Sequence, residues 1–457
     1  MSEHDDAQAM IDSLSGQLEK QKLPLKKLDD YYEGQQPLKY MAPTLEAELG
    51  DRITQLVINW PQLIVDAYET RLDVEGFRLP NDSVSDKELL RIWQANDLDD
   101  ISPQAHLEAI ALGRSYIIVG PNENDPETPV ISVEHPTQVM THHDPRTREV
   151  SYAIKRWSDD EDVLHAALYE LNQTRYYHRD GGQWVLGERH EHNRGFVPVV
   201  PMVNRPRIMH QRGRSEMEPI LPIADAACKM ATDMMISGEY HAIPRRAWFG
   251  MSEDDFVDEQ GKALSVWERI AGREWATERS KGSDGADVIQ FPEADLRNFH
   301  ETLKLLAQMA AQIAGLPPHY MHSTSNNPAS ADAIRSSEAQ LVKRAERKQR
   351  VFGGAWERVM WVAAQISTHD WGDTDLRRIE AVWRDAATPT VAQKADAAVK
   401  LFTAGISTLR QTREDCGYSD TQIKKMEDDD VHALETDPVQ VMARRMNSTR
   451  VGDAGLN

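Results

Sequence analysis

Histidines are the residues whose type and spacing could support chemistry, and they occur in this sequence as two close pairs. His142 and His143 are adjacent, whereas one residue separates His190 from His192. If His190 and His192 lie on a strand, their side chains share a face, as two ligands of one zinc ion must. Such a site would suit a metal-dependent nucleic-acid-processing enzyme. Short motifs often mislead, and both pairs lie beside predicted turns, so ordinary surface histidines are the simpler interpretation.

The sequence contains no common catalytic motif. It has no GxxxxGK[ST], HExxH, GxSxG or GxGxxG segment, which argues against an ordinary P-loop, a zinc protease, an α/β-hydrolase and a dinucleotide-binding fold. The two cysteines, Cys228 and Cys416, lie far apart and form no CxxC pair, which suits a reducing compartment. We therefore predict no catalytic residue, no cofactor and no metal ion.

Composition predicts a large, acidic, soluble protein. The 457 residues suffice for roughly three domains of about 150 residues each. With 74 acidic and 52 basic residues the formal net charge is -22, which argues against tight wrapping of DNA. The first ten residues are acidic and lack the apolar region of a signal peptide, and the longest apolar runs are too short to span a bilayer. We expect a product made in the cytoplasm, with no membrane partner.

A long helix is predicted at residues 330–368, and the rest of the chain is organised around it. At 1.5 Å per residue it would run about 55 Å, longer than one small domain needs. Gly353 and Gly354 interrupt its sequence and predict a bend. Its second half repeats apolar residues at the spacing of one helical face, namely Phe352, Ala355, Trp356, Val359, Val362, Ala363 and Ile366.

The middle of this helix is basic. Lys343, Arg347 and Arg350 share one face, with Arg344 and Lys348 beside it, and the pattern predicts a solvated basic surface. Three roles are compatible with it: contact with phosphates, pairing within the helix such as Glu346 with Arg350, or pairing with the acidic surface of a neighbouring copy. We favour the third role, as an inter-subunit basic face.

The remaining periodicity indicates an α+β fold that is mainly helical. Helices are predicted up to about residue 79 and again at 86–94 and 103–112, followed by a β-rich unit with period-two alternation at 113–207. Residues 376–383 are predicted to form a strand that returns to this β-rich unit. Two short helices are predicted at 389–402 and 408–415, and beyond residue 424 we expect an acidic and then polar disordered tail.

Two further helices flank a mixed insert at residues 243–292. The first, at residues 213–242, carries a small-residue stripe with Met230 and Met234, which suits packing that must adjust. The second, at residues 295–314, alternates steps of three and four, as does a helix packed along another helix. Its predicted packing residues are Leu296, Phe299, Leu303, Leu306, Ala310 and Ile313.

A polar, nearly uncharged loop follows the second of these helices. Its hydroxyls and amides can meet phosphate backbones weakly and without sequence readout, although composition alone favours a plain surface connection. The residues concerned are His319, His322, Ser323, Thr324, Ser325, Asn326 and Asn327.

Four stretches, taken in order, carry a family resemblance over nearly the whole chain. They read LDDYYEGQQPLKYM, NWPQLIVDAYETRLDVEGF, GFVPVVPMVN, and GLPPHYM with NNPASADAIRSSEAQLVKRAERKQRVFGGAWE. In combination they resemble the portal proteins of tailed bacteriophages, and most of all the Gp6-like portals of siphoviruses that infect actinobacteria. None of the four stretches is catalytic, so the resemblance implies a structural protein and not an enzyme.

The resemblance implies a portal fold with named parts. These are a wing of N-terminal helices and a β-rich sub-domain (1–212), two stem helices (213–242 and 294–315), a clip (243–293), a tunnel loop facing DNA (316–329), a long wing helix with its return strand (330–388), a crown (389–435) and a disordered tail (436–457). Clip docking is expected to involve Arg245, Arg246, Trp248, Trp267 and Arg269.

Function and partners follow from the same resemblance. Portals form a homo-oligomeric ring, expected to be a dodecamer, at one capsid vertex of the virion. Double-stranded DNA is pumped through the ring by the terminase large subunit and is later ejected through it, with non-specific contacts to the protein. The head–tail adaptor and the major capsid and scaffold proteins are further expected partners. The alternatives are another virion structural protein, such as a minor capsid or connector protein, and the metal-dependent enzyme considered above.

Overall fold

The computed structural model describes residues 3–39, 56–80, 85–241, 246–249, 287–290, 296–321, 331–387, 391–418 and 420–436. The chain divides into two compact units, residues 1–386 and residues 387–457. Helices and antiparallel sheets both occur, and the predicted α+β class is confirmed.

The first unit begins with helices that start where the sequence places capping residues. Helix α1 (Glu3–Tyr32) is followed by α2 (Trp60–Glu69), strand β1 (Val74–Arg78), α3 (Lys87–Ala95) and α4 (Leu98–Leu112). The side chain of Asn59 accepts a hydrogen bond from the Gln62 amide, and that of Asp86 caps α3 in the same way. These bonds satisfy amides that have no partner inside the helix. The helix start predicted at residue 86 is confirmed, whereas α4 begins at Leu98, five residues before the predicted start at residue 103.

Eight strands follow and form two antiparallel sheets, as the period-two pattern predicts. They are β2 (Arg114–Gly120), β3 (Val130–Glu134), β4 (Val139–His143), β5 (Val150–Ser158), β6 (Leu164–Tyr169), β7 (Gln173–Asp180), β8 (Gln183–Glu191) and β9 (Val199–Val203). The order is β3-β2-β9 in one sheet and β4-β5-β6-β7-β8 in the other. Helix α1 packs Ile11, Leu14 and Leu18 against the five-stranded sheet, so the helix covers one face of that sheet.

The rest of the first unit is mainly helical. It comprises α5 (Leu221–His241), β10 (Arg246–Phe249), β11 (Asp287–Gln290), α6 (Arg297–Ala314), the short α7 (Pro318–Met321), α8 (Ala331–Ile366), a 3-10 turn (Leu376–Arg378) and β12 (Glu380–Trp383). Helix α5 begins eight residues later than predicted. Gly213 has a left-handed φ of +77°, and Pro222 fits the first helical turn, so the helix cannot extend back smoothly to residue 213.

The long helix α8 is continuous over 36 residues through Gly353-Gly354, and the bend predicted there stays a prediction. Gly353 serves packing, because a Cβ atom there would lie 3.0 Å from Nε1 of Trp383. Strand β12 can therefore lie close against the helix. The predicted apolar face is confirmed, since its members are buried apart from Ala355, which is half-buried.

Strand β12 does not return to the β-rich unit, so that prediction is wrong. It pairs antiparallel with β1, with Phe77 opposite Ala381 and Arg78 opposite Glu380. The two-stranded sheet joins the chain after α8 to the N-terminal helices. Hydrogen bonds from Arg71 to the carbonyl of Ala386 and from Gln349 to the carbonyl of Arg71 reinforce this junction.

The second unit is helical among its described residues. It contains α9 (Val391–Thr403), α10 (Leu409–Asp415) and α11 (Asp420–Thr436). Helix α11 carries the acidic run that we expected to be disordered beyond residue 424, so that expectation is wrong up to Thr436. Arg413 pairs with Asp430 at 2.5 Å, and Arg410 pairs with Glu427 at 3.3 Å, which fixes the acidic helix against α10. The predicted tail at 437–457 lies outside the described residues.

His106 is fully buried in the aromatic core of the first unit. It stacks on Phe352 with ring centroids 5.6 Å apart, and its Nε2 accepts a hydrogen bond of 2.8 Å from Nε1 of Trp356. Burial lowers the pKa of His106 to about 3, because the charged imidazolium has no water around it. The ring is therefore neutral in the folded protein at physiological pH.

We expect His106→Gln to weaken the acid sensitivity of folding. As pH falls from about 6.5, the unfolded chain binds a proton at this histidine and the folded chain does not until about pH 3, so stability is lost by up to ~1.4 kcal/mol per pH unit. Glutamine can still accept from Trp356 but does not titrate. Urea unfolding at several pH values should give a shallower slope for the variant between about pH 6.5 and 4.5. Parallel curves for both proteins would contradict the assignment.

Candidate functional site

The two histidine pairs do not converge on a common site. His142 stacks on Tyr152 with centroids 4.6 Å apart, while Nδ1 of His143 lies 3.0 Å from the carbonyl of Arg148. His190 is exposed at the end of β8, and His192 lies beyond that strand. Within the described ranges no group of three or more His, Cys, Asp or Glu side chains is arranged to hold a metal ion.

The predicted stem helices, α5 and α6, lie side by side. The face that α6 buries consists of small residues, Ala307, Ala310, Ala311 and Ala314, and α5 buries Ala224, Ala227, Cys228 and Ala231. Small side chains on the buried faces let helix backbones approach closely. Of the predicted packing residues Ala310 is fully buried, whereas Met230, Met234, Leu296, Phe299, Leu303 and Leu306 are half-buried.

An apolar stripe on α6 faces away from α5. Leu305, Met309 and Ile313 are 56%, 43% and 42% exposed and recur every four residues, so they share one face of the helix. Ile313 therefore lies outside the seam within a single chain, and its predicted packing role remains a prediction. Met235 on α5 is 44% exposed. Exposed apolar residues that line up on one helical face mark a surface suited to association.

The basic middle of α8 divides into two groups. Lys343, Arg347 and Arg350 are exposed as predicted, and no ion pair joins Glu346 to Arg350 in the described part of the chain. Lys348 is buried, so the prediction of a solvated surface is wrong for this residue, whereas Arg344 is half-buried. Nη1 of Arg344 donates to the carbonyls of Ile313 and Ala314 at the end of α6, at 3.1 and 2.5 Å, where the helix leaves carbonyls without partners.

Lys348 forms a buried ion pair with Glu216, and we call this region the stem-entry junction (Asn204, Gly213, Arg214, Glu216 and Lys348). The Lys348 and Glu216 side chains are 7% and 3% exposed. Nζ of Lys348 also donates to Oδ1 of Asn204 at 2.7 Å. The long helix is thereby bonded to the segment that leads from β9 into α5.

The charges at this junction hold each other ionised. Burial opposes ionisation of Glu216, but the positive charges of Lys348 and Arg205 outweigh it, so the pKa of Glu216 lies below its ordinary value. Burial lowers the pKa of Lys348 to about 8, against the opposing attraction of Glu216. Arg205 adds a second ion pair to Glu216 at 2.6 Å. At neutral pH the lysine is therefore protonated and the glutamate ionised.

Backbone hydrogen bonds fix the same junction. The Asn204 amide donates to the carbonyl of Gly113 at 2.9 Å, and the Arg214 amide donates to the carbonyl of Asn204 at 3.0 Å. Sequence patterns alone did not indicate this junction. One signal was present: Lys348 continues the buried stripe of α8 between Ala345 and Phe352, where a charged residue needs a partner.

Most of the predicted loop and clip residues lie outside the described ranges. His322, Ser323, Thr324, Ser325, Asn326 and Asn327 are among them, as are Arg245, Trp267 and Arg269. His319 is exposed in α7, 5.1 Å from the ring of Tyr320. Arg246 and Trp248 lie on β10, which pairs antiparallel with β11.

No helix in the described part of the chain combines the length and apolarity needed to cross a bilayer.

Comparisons with known proteins point in one direction. A family model described as "Phage portal protein, SPP1 Gp6-like" matches residues 12–433. The portal protein of Mycobacterium phage D29 is 35% identical over 91% of this chain and 87% of its own length. That of Mycobacterium phage L5 is also 35% identical, over 87% of this chain and 82% of its own.

Two solved structures share a more distant similarity. A chain in the virion of a native gene transfer agent particle matches with a TM-score of 0.46 and 12% identity, over 86% of this chain and 99% of that one. A chain in the neck of an empty particle of the same kind matches with a TM-score of 0.48 and 14% identity, over 84% and 96%. TM-scores below 0.5 carry no argument about assembly.

Proposed function

The chain belongs to the SPP1 Gp6-like family of phage portal proteins, and we propose that its copies close into a ring at one vertex of the capsid. Double-stranded DNA passes through the ring during packaging and ejection. Since the curated relatives are also named portal proteins, the family favours this function over a minor capsid or connector protein. The ring itself, its dodecameric count and its place in the virion belong to the proposal.

The apolar stripe on α6 is the main observation that supports assembly into a ring. Leu305, Met309 and Ile313 face away from α5 and are exposed in a single chain. A neighbouring copy that covers this stripe would bury apolar surface at roughly 25 cal/mol per Å². A head-to-tail contact of this kind, repeated from copy to copy, closes into a ring when the rotation between neighbouring copies is a whole-number fraction of a full turn. Helices α5 and α6 are then the stem, as the family resemblance implies.

The exposed basic face of α8 supplies a second contact. Lys343, Arg347 and Arg350 are exposed in the described part of the chain, whereas the whole chain has a net charge of -22. Copies packed side by side would repel one another unless such cations meet neighbouring carboxylates. We assign this face to contact between copies.

Surface charge also bears on DNA passage. Each phosphate that a protein neutralises adds salt-dependent affinity, so a channel through which DNA slides must avoid many such contacts. The tunnel loop at 316–329 is polar and nearly uncharged, and we assign it to weak, non-specific contact with the duplex. The remaining partners in the proposal are the terminase large subunit and the head–tail adaptor, which dock at the clip, and the major capsid and scaffold proteins. The proposed function needs no enzymatic step.

We expect the purified wild-type chain to form rings, and Leu305→Asp with Ile313→Asp to remain monomeric. Both residues are exposed within a single chain, so the two carboxylates should spare folding while charging the proposed contact between copies. Light scattering after size exclusion, together with electron micrographs viewed down the particle axis, measures the assembly. Asn298→Asp adds a charge at an exposed polar position of the same helix and serves as the control. The proposed function would be contradicted if the wild-type protein stayed monomeric at every protein and salt concentration and micrographs showed no particles with a central hole.

A further inference from the structure

We propose that the loop at residues 205–214, here called the basic loop, is a docking surface for a second copy of this chain. The proposal rests on the ring proposed above, because it assigns a further contact between its subunits. Three observations support it: an exposed apolar tip, a concentration of arginines, and two cavities beside the loop whose charged lining residues are cations apart from one glutamate.

The tip of the basic loop is apolar and almost fully exposed. Ile208 is 78% exposed and Met209 is 85% exposed. The tip is nevertheless an ordered turn, because the Arg207 amide donates to the carbonyl of His210 at 3.2 Å and the His210 amide donates back at 3.0 Å. A turn fixed in this way loses little conformational freedom when a partner covers it.

Positive charge surrounds this tip. Residues 205–214 contain four arginines and no aspartate or glutamate, in a chain whose net charge is -22. Arg205 pairs with Glu216, and Arg214 pairs with Glu218 at 2.7 Å. Arg207 has no ion pair within the described ranges, and Arg212 hydrogen-bonds only the neutral amide of Gln17. Two guanidinium groups are therefore left to bind an anionic partner.

The two cavities beside the loop have the same sign of charge. One, of about 400 Å³, is lined by Arg205, Arg207, Arg347 and two other cations but by a single carboxylate, that of Glu216. The other, of about 210 Å³, is lined by Arg114 and Arg212 and by no carboxylate. Arg114 is 7% exposed and bonds only neutral groups, the side chain of Gln21 and the carbonyl of Arg212. A buried charge without a counter-charge is costly, so carboxylates brought to these cavities would be stabilising.

The combination favours a protein partner over DNA. Apolar residues at the centre with arginines around them are typical of contacts between proteins, in which Met and Arg are enriched. Sequence-independent DNA binding rests instead on phosphate contacts. Among proteins, a second copy is the best match because its own surface supplies an excess of carboxylates, with 74 acidic residues against 52 basic ones. Arginine binds a carboxylate through two parallel hydrogen bonds, which would also fix the register between copies.

The test compares ring formation across variants of the full-length chain. We expect Ile208→Ser with Met209→Ser, and separately Arg207→Glu, to need at least about tenfold more protein than wild type to form rings. The thermal midpoint of the unassembled subunit should not change, because the replaced side chains are exposed. Leu23→Ser is the matched control, since Leu23 is 80% exposed on α1 and lies outside the basic loop. Mass photometry over a dilution series measures the ring fraction.

Burial of the tip can be measured directly. In Met209→Cys, the new thiol should react with a maleimide in the unassembled subunit and be protected at least about tenfold in the ring. The natural Cys228 is buried, and Cys416, which is half-buried, gives the internal reference. Protection that disappears when rings are diluted to subunits would link it to assembly.

Three results would overturn the proposal. The first is that the Ile208→Ser, Met209→Ser double variant and Arg207→Glu form rings at the same protein concentration as wild type, while the thiol of Met209→Cys stays reactive in the ring. The second is an equal loss of rings in the Leu23→Ser control, which would reflect general loss of apolar surface. The third is intact rings that have lost binding to a DNA duplex, which would assign the loop to phosphates. If the proposed portal function is wrong, the result is different, because the wild-type chain itself would then form no rings.

Discussion

Glu216→Ala is expected to cost about 3–5 kcal/mol of folding stability, the range found when one partner of a buried ion pair is removed. The change leaves the ammonium of Lys348 buried, with Asn204 and no anion beside it. The effect should be measured as the change in free energy of unfolding in urea at pH 7. Because a buried lysine with a lowered pKa can fold in its neutral form, the deficit should shrink as pH rises towards about 9.

Two further proteins make this result specific. Replacing both partners, as in Glu216→Leu with Lys348→Met, should recover at least half of the loss, since no buried charge is left without its partner. Asp73→Ala removes an ion pair to Arg384 whose side chains are 43% and 58% exposed, and it should cost at most about 1 kcal/mol. A loss in Glu216→Ala as small as that in Asp73→Ala would show that the junction does not hold α8 to the stem entry.

Local sequence patterns were sufficient to predict most of the helices and the strands of the β-rich unit. The apolar face of α8, from Phe352 to Ile366, follows from residue spacing alone, because a helix must bury the side that is apolar. The starts of α2 and α3 follow from Asn59 and Asp86, whose side chains bond nearby amides. These features depend on residues within one or two turns of each other.

Features that depend on distant partners were predicted poorly. The pairing of β12 with β1 joins Phe77 to Ala381, and neither segment contains a signal that names the other. The close approach of Gly353 to Trp383, which comes from that same distant strand, also had no local signal. Lys348 was placed on a solvated face because its partner, Glu216, lies 132 residues away. Spacing along the chain reveals which face is buried but not which residue lies against it.

The candidate site was predictable in part for the same reason. The packing of α6 along another helix was predicted from its apolar stripe, yet the residues that it buries most completely are alanines, which give a weaker signal than the leucines nearby. The exposed basic group at Lys343, Arg347 and Arg350 was identified correctly. The basic loop was missed, because its significance depends on the exposure of Ile208 and Met209, which only the structure reveals.

Gly213→Ala is expected to cost about 2–5 kcal/mol, because the stem-entry junction leaves no room for a side chain there. Gly213 has a φ of +77°, a conformation that costs an alanine about 1–2 kcal/mol. A Cβ atom would also lie under 3.0 Å from the carbonyl oxygens of Gly113 and Asn204. Both carbonyls accept hydrogen bonds that fix the junction, so relieving this overlap would displace them, at a further cost of about 1–3 kcal/mol.

Gly195→Ala separates these two contributions. Gly195 has nearly the same φ, +74°, but no atom lies within 4 Å of the position its Cβ would take, so only the conformational cost of about 1–2 kcal/mol should appear. The difference between the two variants in urea unfolding therefore reports the steric overlap at the junction. Equal losses would mean that Gly113 and Asn204 can move away from Gly213 at no cost. The path from β9 into α5 would then be adjustable, and the long helix could not hold α5 in a fixed position.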